Sequence, residues 1–265
     1  MDDQAILAPL NADPTESAIA LRGLSKRFGD TTAVHDLNLD VPRGSFYGIV
    51  GPNGAGKTTA ITMATGLLRP TAGTAWINGH DVWNGGTIAA KNSYGLLADS
   101  MPVFDRLSGT EYLEFIGALR EMDPDTIHQR IDSLLTTLDL QDAGKKYIAD
   151  YSAGMTKKIL LAGALLHRPD VLILDEPLEA VDPVSARTIK QILQAYVTSG
   201  RTVVLSSHVM EVIEGLCSHV AIIANGTVRA SGTLDEVRMG SSLSDSFVNL
   251  VGARDIDEQS LGWLQ

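Results

Sequence analysis

Cysteine is almost missing from this chain: Cys217 stands alone. No intramolecular disulfide can form, which fits a reducing compartment. With no nucleophilic neighbourhood around it, Cys217 reads as a small buried apolar residue. Metal-ligand pairs are missing too. The six histidines show no H-x-x-x-H spacing and no second cysteine exists, so a metalloenzyme has little support. Long apolar runs are absent. ILLAGALL (159–166), VLIL (171–174) and VAIIA (220–224) all fall short of the roughly 18 residues a membrane-spanning helix needs. Positive charge is scarce: 21 Lys and Arg face 32 Asp and Glu, a net charge of −11. That balance disfavours loose nucleic-acid binding, which depends on cations that neutralise phosphates, and no nucleic-acid partner is expected. The acidic start, MDDQAILAPLNADPTES, lacks the charged-then-apolar order of a signal segment. Residues 1–16 are expected to be a flexible lead-in. No internal repeat or low-complexity linker interrupts the rest.

What is present is an α/β rhythm. The 265 residues, 44% of them apolar, suffice for one large domain or two subdomains. AIALRGL, AVHDLNLDV and SFYGIVG read as strands, with alternation in LNLDV. TTAITMATGLL reads as a helix ending near Gly66. TAWINGHDV carries Asn78-Gly79, a hairpin signal. Residues 107–147 then turn helical in spacing, with few strand signals, as expected of a helical insertion over about 100–165. Strand and helix patterns alternate again through VLILDEP, SARTIKQILQAYVTSG, TVVLSSH and VMEVIEGLC to the hairpin HVAIIANGTVRASG. A helical tail is expected over 236–265, with the amphipathic stretch LSDSFVNLV.

Two segments carry chemistry on their own. GPNGAGKT (51–58) fits G-x-x-x-x-G-K-[ST] in full, after an apolar strand and at the start of a helix. Glycines there let successive backbone N–H groups converge on phosphate oxygens, and the helix N-terminus adds partial positive charge. Gly51, Pro52, Asn53, Gly54, Ala55, Gly56, Lys57, Thr58 and Thr59 are the expected nucleotide-binding residues. Lys57 can reach the β- and γ-phosphates, and Thr58 can ligate Mg²⁺. A dinucleotide fold is poorly supported, because the glycines run G-x-x-G-x-G. VLILDEP (171–177) is an apolar strand ending in two carboxylates. Asp175, at its C-terminal edge, can hold Mg²⁺ through water. Glu176 points elsewhere by strand alternation and suits a general base for an attacking water.

The ordered set of phosphate loop, helical insertion, YSAGM (151–155), LILDEP, AVDP and SSH resembles the nucleotide-binding subunit of an ATP-binding cassette (ABC) transporter, over roughly residues 18–235. The YSxGM signature on a single cassette is similar to the exporter type. The resemblance implies a P-loop NTPase core with an N-terminal antiparallel β subdomain and an inserted α-helical subdomain, with the cassette domain over 17–235. The family pattern LSGGQ maps onto YSAGM with Ser152 and Gly154 retained and Tyr151, Ala153 and Met155 departing. It implies that two cassettes pair head to tail and that Ser152, Ala153 and Gly154 cover the ATP held by the other chain. The alternative is an ordinary N-capped helix. Lys157 and Lys158, just beyond, read as a solvated face.

By the same resemblance Phe28 stacks on adenine, His208 contacts the γ-phosphate and orders water, and Asp182 communicates across the dimer. Asp99, in GLLADS, falls where the family has a metal-ligating Gln. MPVF (101–104) is apolar in a loop and is expected to dock a membrane partner or to pack in the core. The function implied is an ATP-hydrolysing transport subunit, with ATP and Mg²⁺, peripheral on the cytoplasmic side of the membrane. It works with a separate transmembrane permease and a second cassette, a copy or a relative. A soluble cassette ATPase acting on ribosomes or DNA is the alternative. Such relatives usually carry tandem cassettes, coiled coils or zinc modules, and this chain has one phosphate loop and no sustained heptads.

Overall fold

A computed structural model describes residues 6–98 and 103–252. In chain order the elements are β1 (Ile6–Leu7), β2 (Ile19–Phe28), β3 (Thr31–Val41), β4 (Phe46–Val50), α1 (Lys57–Ala64), β5 (Ala72–Ile77), β6 (His80–Asp81), α2 (Thr87–Ser93) and β7 (Tyr94–Leu97). There follow α3 (Gly109–Leu119), α4 (Pro124–Thr137), α5 (Ala153–Leu166), β8 (Val171–Asp175), α6 (Pro183–Thr198) and β9 (Thr202–Ser207). The chain then runs through α7 (Met210–Leu216), β10 (His219–Ala224), β11 (Thr227–Thr233), α8 (Leu234–Arg238) and α9 (Leu243–Val251).

Two sheets form. The larger has seven strands in the order β1-β11-β10-β4-β9-β8-β7, and the smaller four in the order β3-β2-β5-β6. The central strands β4, β9 and β8 are parallel to one another and buried at every position. That is why they read as continuous apolar runs and not as alternating ones. Their two faces still differ. Leu172 and Leu174 of β8 join one core with Ile159, Leu161 and the insertion's Leu113 and Ile131. Val171 and Ile173 join the other, with Ile61 and Met63 of α1 and Leu21 and Leu37 of the small sheet. The period-2 direction of strand side chains divides one strand between two cores.

Local signals explain the ends. The turns between β5 and β6 and between β10 and β11 are Asn78-Gly79 and Asn225-Gly226, with φ of 51° and 84°, and of 51° and 74°. Both residues of a tight hairpin turn of this hand need positive φ, which Asn and Gly tolerate. Ser108 and Glu111 form a reciprocal cap on α3. Asp123 and Asp182 cap α4 and α6, each followed by Pro at the first helical position.

The structure adds to the sequence reading in two places and corrects it in a third. Within the expected lead-in, of which residues 6–16 are described, β1 adds a parallel strand to β11, and Asn11 N–H donates to Asp40 Oδ2 at 2.7 Å. Residues 87–97, for which no element was expected, form α2 and β7, and β7 is the sheet edge that leads towards the insertion. Lys158 is no solvated face. It is only 7% exposed, with Nζ 3.4 Å from both the Asp139 carbonyl and Ser185 Oγ.

Cys217 behaves as expected. It is 6% exposed, and burial pushes its thiol up to about 12. A maleimide at pH 7.5 is therefore expected to label no thiol in the folded chain and one per chain in 6 M guanidinium, read by mass spectrometry. Rapid native labelling would show that the core around Gly48 and Ile213 opens.

Candidate functional site

The site is assembled where β4, β9 and β8 end. Register places Val50 beside Ser207, and Asp175 beside Ser206. The loop after β4 and the carboxylates after β8 thus meet at the C-terminal edge of a parallel sheet, the usual place for ligands in such folds. A cavity of about 600 Å³ opens there, lined by Asn53 to Thr59, Ala33, Asp175, Glu176, Glu179 and His208.

Close packing makes this loop what it is. A Cβ on Gly51 would stand 2.2 Å from the Ile223 carbonyl oxygen. Gly56 has φ of 100° and its missing Cβ faces the Ala33 carbonyl at 2.7 Å. Neither position admits a side chain without moving backbone. Lys57 folds back into the loop, where Nζ donates to the carbonyls of Gly51 at 2.7 Å and Pro52 at 3.3 Å. Burial lowers its pKa, opposed by the nearby charges of Glu176 and Asp175. An incoming polyphosphate would supply a counter-charge that the loop carbonyls give only as dipoles.

Asp175 is 1% exposed. Its Oδ2 accepts the Thr58 hydroxyl at 2.8 Å, and its Oδ1 accepts that of Ser206. This donor set suits Mg²⁺, which prefers hard oxygens and takes few from the protein. No cluster of three or more His, Cys, Asp or Glu able to hold a metal occurs among the described residues. Thr58 and Asp175 are the protein oxygens that the described residues offer, and water and phosphate would add to them. Glu176 lies one residue beyond β8 with φ of 47°. This left-handed turn, and not strand alternation, sets its direction, and its Oε1 lies 3.0 Å from His208 Nδ1. With the ring proton on Nδ1, His208 donates to Glu176 and leaves Oε2 free to accept from a water.

YSAGM sits elsewhere. Ser152 caps α5, its Oγ accepting from Met155 N–H at 3.2 Å. Ser152, Ala153, Gly154, Met155, Lys158, Ala180 and Asp182 line a separate cavity of about 290 Å³. No residue lines both this cavity and the phosphate cavity. Tyr151, a departure from the family pattern, is absorbed by the insertion, where its hydroxyl donates to the Ala143 carbonyl at 2.8 Å. Asp182 accepts from the N–H groups of Ser185 and Val184, both at 3.0 Å, and the Ser185 N–H leads in holding its carboxyl below the ordinary range.

Phe28 lies at the end of β2, 50% exposed, with Lys26 Nζ 5.2 Å from its ring centre. It does not line the phosphate cavity, although Ala33 of the same hairpin does. Asp99, Met101 and Pro102 fall outside the described residues. Val103 packs on the larger core, and Phe104 is half-exposed against Tyr112 and Phe115. Sequence reasoning missed Ala33, Glu179 and Ser206. Register brings Ser206 beside Asp175, and the closing of the β2–β3 hairpin over the loop brings Ala33. Glu179, three residues past Glu176 in LDEPLEA, was visible as a third carboxylate.

Comparison with known proteins agrees with this geometry. A family profile described as ABC transporter matches residues 34–179. The daunorubicin resistance ATP-binding protein DrrA3 of Streptomyces coeruleorubidus is 37% identical over 223 residues, covering 84% of this chain and 70% of that protein. The daunorubicin/doxorubicin resistance ATP-binding protein DrrA of Streptomyces peucetius is 36% identical over 241 residues, covering 91% and 72%. A solved structure of an ATP-binding subunit of an ABC transporter superposes with a TM-score of 0.83 at 27% identity, covering 88% of this chain and 99% of that one. This chain belongs to the ABC transporter family, as an ATP-binding and ATP-hydrolysing cassette subunit.

Proposed function

We propose that two of these cassettes close head to tail around two Mg-ATP and, on hydrolysis, drive a separate membrane permease in the direction of export. The observation that carries this reading is the division of the site into two cavities. Lys57, Thr58, Asp175, Glu176 and His208 surround one, while Ser152, Ala153, Gly154 and Asp182 surround another that shares none of them. A nucleotide on the first cavity meets the second only if a further cassette supplies it.

In this cycle the glycine loop and Lys57 hold the phosphates, and Phe28 stacks on the base. Thr58 and Asp175 would hold Mg²⁺, which would neutralise charge on the phosphates. Glu176 takes a proton from the attacking water, and His208 holds the Glu176 carboxylate and the γ-phosphate side in register. The free N–H groups at the start of α5, with Ser152, complete an anion site for the partner's nucleotide, and Asp182 beside them links the two sites. ATP binds the closed pair better than the open one, so hydrolysis reopens it.

A permease contact is supported by a cavity of about 450 Å³ between the core and the insertion, lined by Leu96, Tyr112, Ile116, Leu119 and Arg120 among others. Phe104 and Phe115 stand beside it. No helix among the described residues is long and apolar enough to cross a membrane; a place on the cytoplasmic face is part of the proposal. The resistance names of the two Streptomyces relatives support export.

The test is a tagged Glu176→Gln pull-down from detergent-solubilised host membranes with Mg-ATP. A polytopic membrane protein is expected in near-stoichiometric amount. Recovery of ribosomal or DNA-repair components without one would overturn the transport reading.

A further inference from the structure

We propose that Ser206 is a positioning residue that orients both carboxylates of the site through a single hydroxyl. The proposal rests on the ATPase reading of that site. Ser206 is fully buried in β9 and pairs in register with Asp175 of β8. Its hydroxyl donates to Asp175 Oδ1, and the same oxygen accepts the Glu176 N–H at 3.1 Å. A serine hydroxyl has one proton to give and lone pairs to receive. Here the proton goes to one carboxylate residue and a lone pair to the backbone of the next.

Each contact has a separate consequence. Asp175 is held on one side by Ser206 and on the other by Thr58. Its carboxylate plane is therefore fixed before any metal arrives, and Oδ2 is kept on the Thr58 side. Glu176 has φ of 47°, an uncommon conformation for a residue with a side chain. Its N–H leaves the strand ladder at this turn and finds its partner in Ser206. The turn that carries the Glu176 side chain to His208 is pinned by that bond. The neighbouring Ser207 does something different: its hydroxyl accepts the Val209 N–H at 3.0 Å. Of the two serines in LSSH, only Ser206 touches both acidic residues. An alanine would fill nearly the same volume, so packing alone does not require the hydroxyl.

The test compares full-length wild type, Ser206→Ala and Ser206→Thr. Three quantities are measured: kcat and KM for ATP, the affinity for mant-ATP with Mg²⁺ and with EDTA, and Tm. For Ser206→Ala, kcat is expected to fall about 10–100-fold, the usual effect of removing an outer-shell partner. The EDTA affinity stays within a small factor, while the gain in mant-ATP affinity on adding Mg²⁺ shrinks and KM for Mg-ATP rises with it. Ser206→Thr keeps the hydroxyl and is expected to recover most of both losses. The proposal is overturned if Ser206→Ala retains wild-type kcat and the wild-type Mg²⁺ gain. It is equally overturned if the alanine loss follows Tm and EDTA affinity with no change in the Mg²⁺ gain, the pattern of a purely structural residue. If wild type itself fails to hydrolyse Mg-ATP, the ATPase reading falls and takes this proposal with it.

Discussion

Glu176→Gln is expected to lower steady-state ATP hydrolysis about 10²–10⁴-fold, the range ascribed to a positioned general base. ATP binding should hold within a small factor. The substitution is close to isosteric, and the amide oxygen can still accept from His208 Nδ1 at the 3.0 Å contact. The positive-φ turn and the bond from Glu176 N–H to Ser206 involve only backbone of this residue, so they persist. What is lost is the ability to take a proton from water. A second readout follows. If hydrolysis removes the ligand that joins two cassettes, a slow variant should accumulate as a dimer in Mg-ATP, measured by light scattering behind a sizing column. A variant that hydrolyses at the normal rate would move the base elsewhere, and Glu179, the other glutamate lining the cavity, would be examined next.

The parts of this site that were legible in the sequence are those whose geometry is local. The loop 51–58 states its own conformation, because its glycines stand where the backbone has no room or positive φ. The turns at Asn78-Gly79 and Asn225-Gly226, and the capped starts of α3, α4 and α6, are equally local. What stayed hidden depends on contacts distant in sequence. Ser206 lies 31 residues from Asp175 and touches it only because β8 and β9 pair in one register. Lys158 looked like a surface cation because a Lys usually is one. Its burial depends on residues distant in sequence, the Asp139 carbonyl and Ser185, which both reach its Nζ. Glu176 was assigned to the right cavity for an incomplete reason. Strand alternation ends at Asp175, and a left-handed turn takes over. The N-terminal strand was lost because two residues, Ile and Leu, carry no period, and its partner lies over 220 residues away.

The sharpest test of the second cavity is Ala153→Asp, because the two readings of YSAGM agree on Tm and part on hydrolysis. Ala153 is exposed at the first turn of α5, one residue after its cap. If this is only an N-capped helix, a carboxylate there meets the positive end of the helix and stabilises it slightly. Tm should rise or stay level, and hydrolysis should not change. If the turn covers a partner's phosphate, the added carboxylate faces like charge. Two unit charges about 4 Å apart at an effective dielectric near 20 repel by about 4 kcal/mol, so hydrolysis should fall by about 10²–10³-fold. Tm would still be level or higher, and that combination separates a blocked site from a damaged fold. The monomer supplies the last discrimination. At protein concentrations too low for pairing, mant-ATP affinity should match wild type, since Ala153 lines no part of the phosphate cavity. Weakened binding in the monomer would place both half-sites on one nucleotide within a single chain and remove the reason for head-to-tail pairing. Unchanged binding with lost hydrolysis and lost ATP-dependent dimerisation would put the signature turn in trans.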